Sequence, residues 1–375
     1  TIGGGWRNTV LSSYATIGGG VSNNITSTAN WGFIGGGTEN TVSASYGSVV
    51  ASQENTASAM YSFVGGGRSN TASGTSSTVA GGWRNTASGA ESSVAGGQNN
   101  IASGAYSSVS AGRSNKAVAT GSTIGGGHGN EAGEIDEDGN PVTDTKGTVL
   151  GFGSTVAGGY SNRAQGSTST VGGGQGNVAA SWSVVAGGTQ NKANGGSSVI
   201  SGGTQNTALE ARSTIGGGWL NTTSGVQSVV SGGENNEASG LNSTISGGSS
   251  NTAVGIGSVV AGGGSVKKAT DQDTGETVDI GGNDAFGDYS VISGGRQNVT
   301  AGEGSVIAGG TINRAGTIDR KHNPVYDASN NPITSHATVS GGTRNVASGT
   351  APTAMGGSNK NPPEKSSILG GYRNN

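Results

Sequence analysis

A unit of fifteen residues, approximately S-x-[VI]-x-G-G-x-x-N-x-A-x-G-x-x, recurs along almost the whole chain. It is clearest in Ser77–Gly89, Ser92–Gly104 and Ser228–Gly240. A unit this short cannot enclose a core of its own, so neighbouring units must stack and share one. The period therefore predicts a solenoid rod in which each repeat forms one coil.

Each repeat is built around a Gly-Gly pair, and the chain has 22 such pairs if Ala51-Ser52 and Ala111-Gly112 are counted. Val or Ile stands two residues before the pair in 21 of the 22, and Asn stands four residues after its first Gly in 20. Ser usually lies two residues before the Val or Ile, and Ala two after the Asn. Residues two apart share one face of a strand. Each coil is therefore predicted as strand, Gly turn, strand, Gly turn.

Stacking places equivalent residues of successive coils above one another. The Val/Ile column is predicted to form a continuous apolar ridge, and the Asn column a structural ladder of side-chain amides. A row of ligand-binding amides is the alternative for the Asn column. The clearest members of the two columns are Val79, Val94, Val109, Asn70, Asn85, Asn100 and Asn115.

Composition excludes several classes of protein. Only 30% of the residues are hydrophobic and 77 are Gly, which is too little apolar surface for ordinary globular domains. The charged fraction is 11% and the net charge −3, with no basic run, so we expect no nucleic-acid partner. No apolar stretch is long enough for a transmembrane helix. The ends of the sequence, Thr1 and Asn375, fall within coils, so we expect 1–375 to be a single repeat rod within a longer chain.

Residues for catalysis are scarce. The chain has no Cys and three His, and the recurring Ser has no His near it in the repeat. The Gly-rich turns lack the lysine of a phosphate-binding loop. We therefore expect no enzyme activity, no catalytic residue and no cofactor.

One coil brings only one Val or Ile, one Ala and one Ser inward. Burying these side chains contributes a few kcal/mol at about 25 cal/mol per Å², less than the cost of ordering fifteen residues. A thin coil would also leave one apolar flank uncovered. We therefore expect the Val/Ile ridges of several chains to meet on a common axis, and a threefold assembly would close this contact.

The pattern S-x-[VI]-x-G…N-x-A-x-G resembles the head repeat of trimeric autotransporter adhesins, the YadA-like head. The resemblance covers nearly the whole chain outside three insertions. It differs in the second Gly, which makes the coil fifteen residues long, and in Asn where the family usually has Ser or Ala. The resemblance implies a left-handed parallel β-roll in a homotrimer, at the surface of a bacterial cell.

Three segments interrupt the period, at about 133–150, 267–288 and 317–336. They hold much of the charge and several of the Pro, and turn signals lie between strand-like arms, so we predict three projecting β-hairpins. Variable loops on a rigid scaffold often carry recognition, while tolerated surface decoration is the alternative. Acidic side chains there could offer oxygens to Ca²⁺, but a full calcium-loop spacing is absent, so no metal is predicted. The candidate binding residues in the insertions are Asp136, Asp138, Asn140, Asp271, Asp273, His322 and Tyr326.

Aromatic residues at the turn after Gly-Gly are a further set of candidates. Trp6, Trp83 and Trp219 stand there, exposed and able to stack on sugars or other surfaces. Thr, Gln and Arg occupy the same position in other coils, so these rings form no continuous platform.

The leading functional hypothesis is an extracellular structural or adhesive fibre, shaft or head, anchored in the outer membrane through parts outside this sequence. Its partners would be further copies of the chain and a host surface, matrix protein or glycan. A phage-type tail-fibre shaft and an end-to-end filament subunit are the alternatives. An ice-binding solenoid is disfavoured, because the Thr that follows Asn gives way to Ile101, Lys116 and Glu131.

Overall fold

A computed structural model describes residues 1–136, 142–143, 145, 150–264, 267–270, 277–280, 282–318, 325, 335–348, 351–356, 358–359, 367–369 and 372–374. Within these ranges every regular element is a β-strand, and there is no helix. The chain is an all-β parallel solenoid of about 20 coils, as the fifteen-residue period predicts. It divides into two compact units, Thr1–Gln190 and Asn191–Asn375.

Each coil of the first unit contributes one short strand to each of two parallel sheets. We call the sheet with the Val/Ile column the valine sheet, and the one with the Ala column the alanine sheet. The valine sheet contains Thr16–Ile17, Phe33–Ile34, Ser48–Val49, Phe63–Val64, Thr78–Val79, Ser93–Val94, Ser108–Val109, Thr123–Ile124, Thr155–Val156, Thr170–Val171 and Val184–Val185. The alanine sheet contains Thr9–Val10, Asn24–Ile25, Thr41–Val42, Thr56–Ala57, Thr71–Ala72, Thr86–Ala87, Ile101–Ala102, Lys116–Ala117, Glu131–Ala132, Arg163–Ala164 and Val178–Ala179.

The second unit has the same construction. Its valine sheet contains Val199–Ile200, Thr214–Ile215, Val229–Val230, Thr244–Ile245, Val259–Val260, Val291–Ile292, Val306–Ile307, Thr338–Val339, Thr353–Met355 and Ser367–Leu369. Its alanine sheet contains Lys192–Ala193, Thr207–Ala208, Thr222–Thr223, Glu237–Ala238, Thr252–Ala253, Asp284–Ala285, Val299–Thr300, Arg314–Ala315 and Val346–Ala347. Two further pairs of strands are Lys267–Thr270 with Thr277–Ile280, and Ser358–Asn359 with Tyr372–Asn374.

Successive coils pair in parallel with a shift of one repeat. Thr86, for example, pairs with Thr71 on one side and with Ile101 on the other. A strand of two residues is stable here because it is hydrogen-bonded to a neighbour on both sides. Single-residue bridges add a third parallel ladder at the turn after Gly-Gly, where Trp83 lies between Arg68 and Gln98. The sequence did not predict this third ladder.

The core lies between the two sheets of a single chain. The columns of Ser, Val or Ile, Asn and Ala point into it, as Ser77, Val79, Asn85 and Ala87 do with no exposed surface. The expectation that the Val/Ile ridge needs partner chains to cover it is therefore wrong. The reason is that the Asn and Ala columns of the facing sheet already cover it.

The two glycines of each pair have different roles. Gly82 has a φ of +93°, and a Cβ at this position would collide with the carbonyl oxygen of Gly97 in the next coil. A Cβ at Gly81 would meet nothing. The close approach of backbones thus requires only the second Gly, and Ala111 occupies the first position without conflict.

The register of the stack continues across each insertion. The coils on either side of each insertion pair directly, through Glu131 with Arg163, Thr252 with Asp284, and Arg314 with Val346. The first and third insertions follow an alanine-sheet strand, and the second follows a valine-sheet strand.

The second insertion contains an antiparallel hairpin, as predicted, because Lys267–Thr270 pairs with Thr277–Ile280. Four residues after Gly262, where other coils have Asn, the sequence has Val266. Asn283, on the far side of the insertion, occupies that position and donates its side-chain amide to the Gly262 carbonyl at 2.8 Å.

Candidate functional site

The Asn column is hydrogen-bonded completely within the scaffold. The side-chain nitrogen of Asn85 donates to the carbonyls of Gly81 and Gly97, both at 2.9 Å. Its side-chain oxygen accepts the backbone N–H of Asn100 at 2.9 Å. Because Asn85 is buried and its amide is fully used, it offers no donor to a ligand. The side-chain nitrogens of Asn70, Asn100 and Asn115 make the same contacts with the carbonyls before and after them.

The Val/Ile column is equally remote from any partner. Val79 and Val94 have no exposed surface, and Val109 has 1%. Contacts with another molecule must therefore use the outer faces of the strands and the two corners of the coil.

Four aromatic rings stack along one corner of the first unit. Tyr14, Trp31, Tyr46 and Tyr61 come from successive coils, with ring centroids 5.2, 5.0 and 4.9 Å apart. The planes of neighbouring rings are inclined by 10, 2 and 15°. We call this set the aromatic ladder.

The backbone sets the spacing of the aromatic ladder. The N–H of Tyr46 donates to the Asn30 carbonyl of the preceding coil at 2.9 Å. Tyr46 has a φ of +59°, a left-handed conformation that costs a non-Gly residue about 1 kcal/mol or more. Gly121 and Gly153 occupy the equivalent position in other coils. The backbone therefore does not favour aromatic residues here. Stacking of each pair of rings stabilises the fold by about 0.5–1.5 kcal/mol.

The aromatic ladder is exposed and lies in a segment of low charge. Tyr14 is 78% exposed and Tyr46, the least exposed of the four, 43%. Residues 1–63 contain three charged side chains, and all three lie at the other corner of the coil, in the turn after Gly-Gly: Arg7, Glu39 and Glu54. Exposed Phe33, Met60 and Phe63 follow or precede ladder residues in the chain. An uncharged apolar surface of this kind is typical of an interaction site.

The predicted tryptophans lie at the other corner and are exposed. The Arg7 guanidinium lies 4.2 Å from the ring centroid of Trp6, and that of Arg84 lies 4.9 Å from Trp83. The indole N–H of Trp219 donates to a side-chain oxygen of the preceding coil, Gln205 Oε1, at 3.2 Å. Trp6 and Trp83 belong to coils that are not neighbours, and Trp219 belongs to the second unit.

The predicted insertion residues fall mostly outside the described ranges. Asp136 is described and exposed. The others, which lie outside, are Asp138, Asn140, Asp271, Asp273, His322 and Tyr326. Within the described ranges no three His, Asp or Glu side chains are grouped as a metal site would require. The same ranges contain no helix with the length and apolar character needed to cross a membrane.

One carboxyl group in the second unit has an unusual environment. Burial raises the pKa of Asp284 from 3.8 to about 6, and a hydrogen bond with Thr252 opposes this increase. Asp284 begins the strand that follows the second insertion. It therefore titrates in a range where few carboxyl groups do, which links the stability of this coil to pH.

The aromatic ladder was missed in the sequence, although a signal for it exists. Tyr14, Trp31, Tyr46 and Tyr61 are separated by 17, 15 and 15 residues, the same intervals that separate the Asn of these coils. This second aromatic column lies five residues before the Gly-Gly pair, apart from the aromatic residues at the turn after it.

Comparison with known proteins adds one finding. A family model described as a ubiquitous surface protein adhesin repeat matches residues 77–89 and 154–166. Each segment runs from a buried Ser of the valine sheet through the Gly-Gly turn and past the alanine-sheet strand. No curated protein matches the chain. The resemblance to an adhesin head repeat is thereby confirmed over these two coils.

Proposed function

We propose that the chain is the repeat region of an extracellular adhesive fibre that projects from a bacterial cell surface and catalyses no reaction. The observation that carries this proposal is the match of two coils to an adhesin repeat. Those coils lie in a solenoid whose Val/Ile and Ala columns are buried and whose Asn column is hydrogen-bonded within the scaffold. Residues 1–375 would act as one repeat region, anchored in the outer membrane through other parts of the protein.

The distribution of polar and apolar residues supports an adhesive role. Inward positions repeat from coil to coil, while outward and corner positions vary between Tyr, Trp, Arg, Gln and Ser. A rigid stack that presents variable side chains at regular intervals is suited to multivalent contact with a surface. Host cells, matrix proteins and glycans are the partners that the adhesin resemblance implies.

Self-association is the second part of the proposal. The adhesin resemblance implies a homotrimer. Because the Val/Ile column is buried within one chain, copies would have to meet through outer faces rather than through that column. Light scattering should give a mass about three times that of the single chain of 36.1 kDa. A monomer at all concentrations would contradict this part without affecting adhesion.

Adhesion can be measured with beads that carry the purified chain. We expect such beads to be retained on epithelial monolayers or matrix-coated surfaces about tenfold more than albumin-coated beads, because many weak contacts add through multivalency. Heat-unfolded chain on matched beads is the control for nonspecific binding. Retention equal to albumin on every surface would contradict the adhesive function. Retention on bacterial cells alone would support a phage-type fibre instead.

A further inference from the structure

The aromatic ladder ends at Tyr61. In the next two coils the same corner position, five residues before the Gly-Gly pair, has no aromatic ring. Ser76 and Glu91 occupy the next two positions, and Tyr106 the third. All four residues are exposed and share a left-handed φ, between +54° and +59°. We call the exposed surface at Ser76 and Glu91, which is bounded by Tyr61 on one side and by Tyr106 on the other, the ladder slot.

The backbone is regular across the ladder slot. The N–H of Ser76 donates to the Met60 carbonyl at 2.9 Å, and that of Glu91 to the Thr75 carbonyl at 2.8 Å. The N–H of Tyr106 continues this series of bonds to the preceding coil at 2.8 Å. Three coil spacings separate the backbones of Tyr61 and Tyr106, which is about 14 Å. That span accommodates a short chain of sugar rings.

Tyr61 presents an oriented ring face to the slot. Its ring stacks on Tyr46 with a centroid separation of 4.9 Å and an inclination of 15°. One face is therefore covered by Tyr46, and the other faces along the column toward Ser76. The rings of Trp31 and Tyr14 continue the stack behind it. A side chain held in this way loses little freedom when a ligand binds, which favours affinity.

Polar side chains border the slot together with exposed Met60 and Ala90. Thr75, Ser76 and Ser93 are exposed hydroxyl residues, and Glu91 is an exposed carboxylate. Glu91 forms no ion pair within the described part of the chain. An aromatic face beside hydroxyl groups and a carboxylate matches a pyranose ring, which has an apolar face of C–H groups and an edge of hydroxyl donors. The negative charge disfavours sugars that carry a carboxylate or sulfate.

We propose that the ladder slot binds a short segment of an uncharged glycan, with one pyranose ring against the free face of Tyr61 and sugar hydroxyls donating to Glu91. This inference rests on the proposed adhesive function and assigns it a site. A second copy of the chain is a poorer occupant, because the same column position holds Gly121 and Arg212 elsewhere. A contact that runs along the stack would meet a different surface in every coil.

The test uses the full chain with cellotetraose, maltotetraose and chitotetraose as neutral probes and sialyllactose as the anionic probe. Saturation-transfer NMR and titration calorimetry measure binding. We expect at least one neutral probe to bind, and both Tyr61→Ala and Ser76→Tyr to weaken it about tenfold or more, the loss expected when an aromatic stacking contact disappears. Ser76→Tyr extends the aromatic ladder into the slot, so it removes the site while retaining a stacked corner.

Trp182→Ala is the matched control, since Trp182 is an exposed ring at the same column position but outside the aromatic ladder and the ladder slot, and its removal should leave binding unchanged. Thermal unfolding establishes that each variant is folded. Absence of binding to every neutral probe, tighter binding of sialyllactose, or undiminished binding by Ser76→Tyr would each overturn the proposal. Beads that carry Ser76→Tyr distinguish this site from adhesion in general. If their retention on glycan-bearing cells equals that of the wild type, the adhesive function stands and the slot is excluded.

Discussion

At the scale of single residues, the second glycine of the Gly-Gly pair is the strictest requirement of the coil. Ser52 stands at this position in one coil, with a φ of +95°. The amide of Asn55 in that coil reaches the Ala51 carbonyl at 3.5 Å, whereas Asn85 reaches Gly81 at 2.9 Å. The non-Gly residue is therefore accommodated by a stretched hydrogen bond.

We predict that Ser52→Gly stabilises the chain by about 1 kcal/mol, because it removes a strained backbone conformation. The opposite change at the same position of another coil, Gly82→Ser, should destabilise the chain by about 1–3 kcal/mol, since a Cβ there collides with the Gly97 carbonyl. Ala51→Gly is the control, because the first position of the pair is open in other coils. Urea unfolding measures the free energy of unfolding of the three variants. An unchanged free energy of unfolding in Gly82→Ser would contradict this account.

Asp284 makes the stability of its coil depend on pH. Its pKa in the folded chain is about 6, above 3.8, so the folded state binds more protons between these values. The contribution of Asp284 to stability is therefore greatest below about pH 4 and is lost as pH rises through 6.

Asp284→Asn should remove this dependence and raise stability at pH 7 by about 1–3 kcal/mol. Glu237→Gln is the matched control, since Glu237 is exposed and occupies the same outward position of the alanine sheet. Chemical unfolding at pH 4, 5, 6 and 7 gives the free energy of unfolding of the wild type and of both variants. An unchanged pH profile in Asp284→Asn would show that burial does not govern this carboxyl.

At the scale of elements, strands of two residues persist because every coil supplies hydrogen-bond partners to the next. The sequence predicted these strands well, since Val/Ile and Asn recur at fixed distances from Gly-Gly. The sequence did not predict how the two sheets face each other across the core. Counting the inward side chains of one coil could not reveal that the Asn column faces Val79 and its neighbours across the core.

Asn85 tests how much the Asn column contributes to a coil. We predict that Asn85→Ala destabilises the chain by about 2–4 kcal/mol, because it leaves the Gly81 and Gly97 carbonyls without their shared donor. Thr86→Ala, at the adjacent outward position, should change stability by less than about 1 kcal/mol. Urea unfolding compares the free energies of unfolding of the two variants. Equal effects of the two changes would refute a structural role for the amide.

At the scale of the whole molecule, the period of fifteen residues allows insertions without loss of register. The strands on either side of each insertion pair in register. After the second insertion Asn283 continues the Asn column, because its backbone N–H donates to the Asn251 side-chain oxygen at 2.8 Å. The aromatic ladder could have been predicted from its spacing. Its left-handed backbone and the face that it presents toward Ser76 required the structure, because both follow from hydrogen bonds between coils.

Cysteine pairing tests the fifteen-residue parallel register, on which every site described above depends. The native chain has no Cys. Thr71 and Thr86 are direct partners in the alanine sheet, so Thr71→Cys with Thr86→Cys should form an intramolecular disulfide under mild oxidation. Thr71→Cys with Ile101→Cys places the thiols two coils apart, about 9.6 Å between Cα atoms, beyond the roughly 7 Å that a disulfide spans. Thiol titration and peptide mass spectrometry should find the first pair oxidised within one chain and the second pair free. Equal intramolecular oxidation of both pairs would contradict the stacked solenoid.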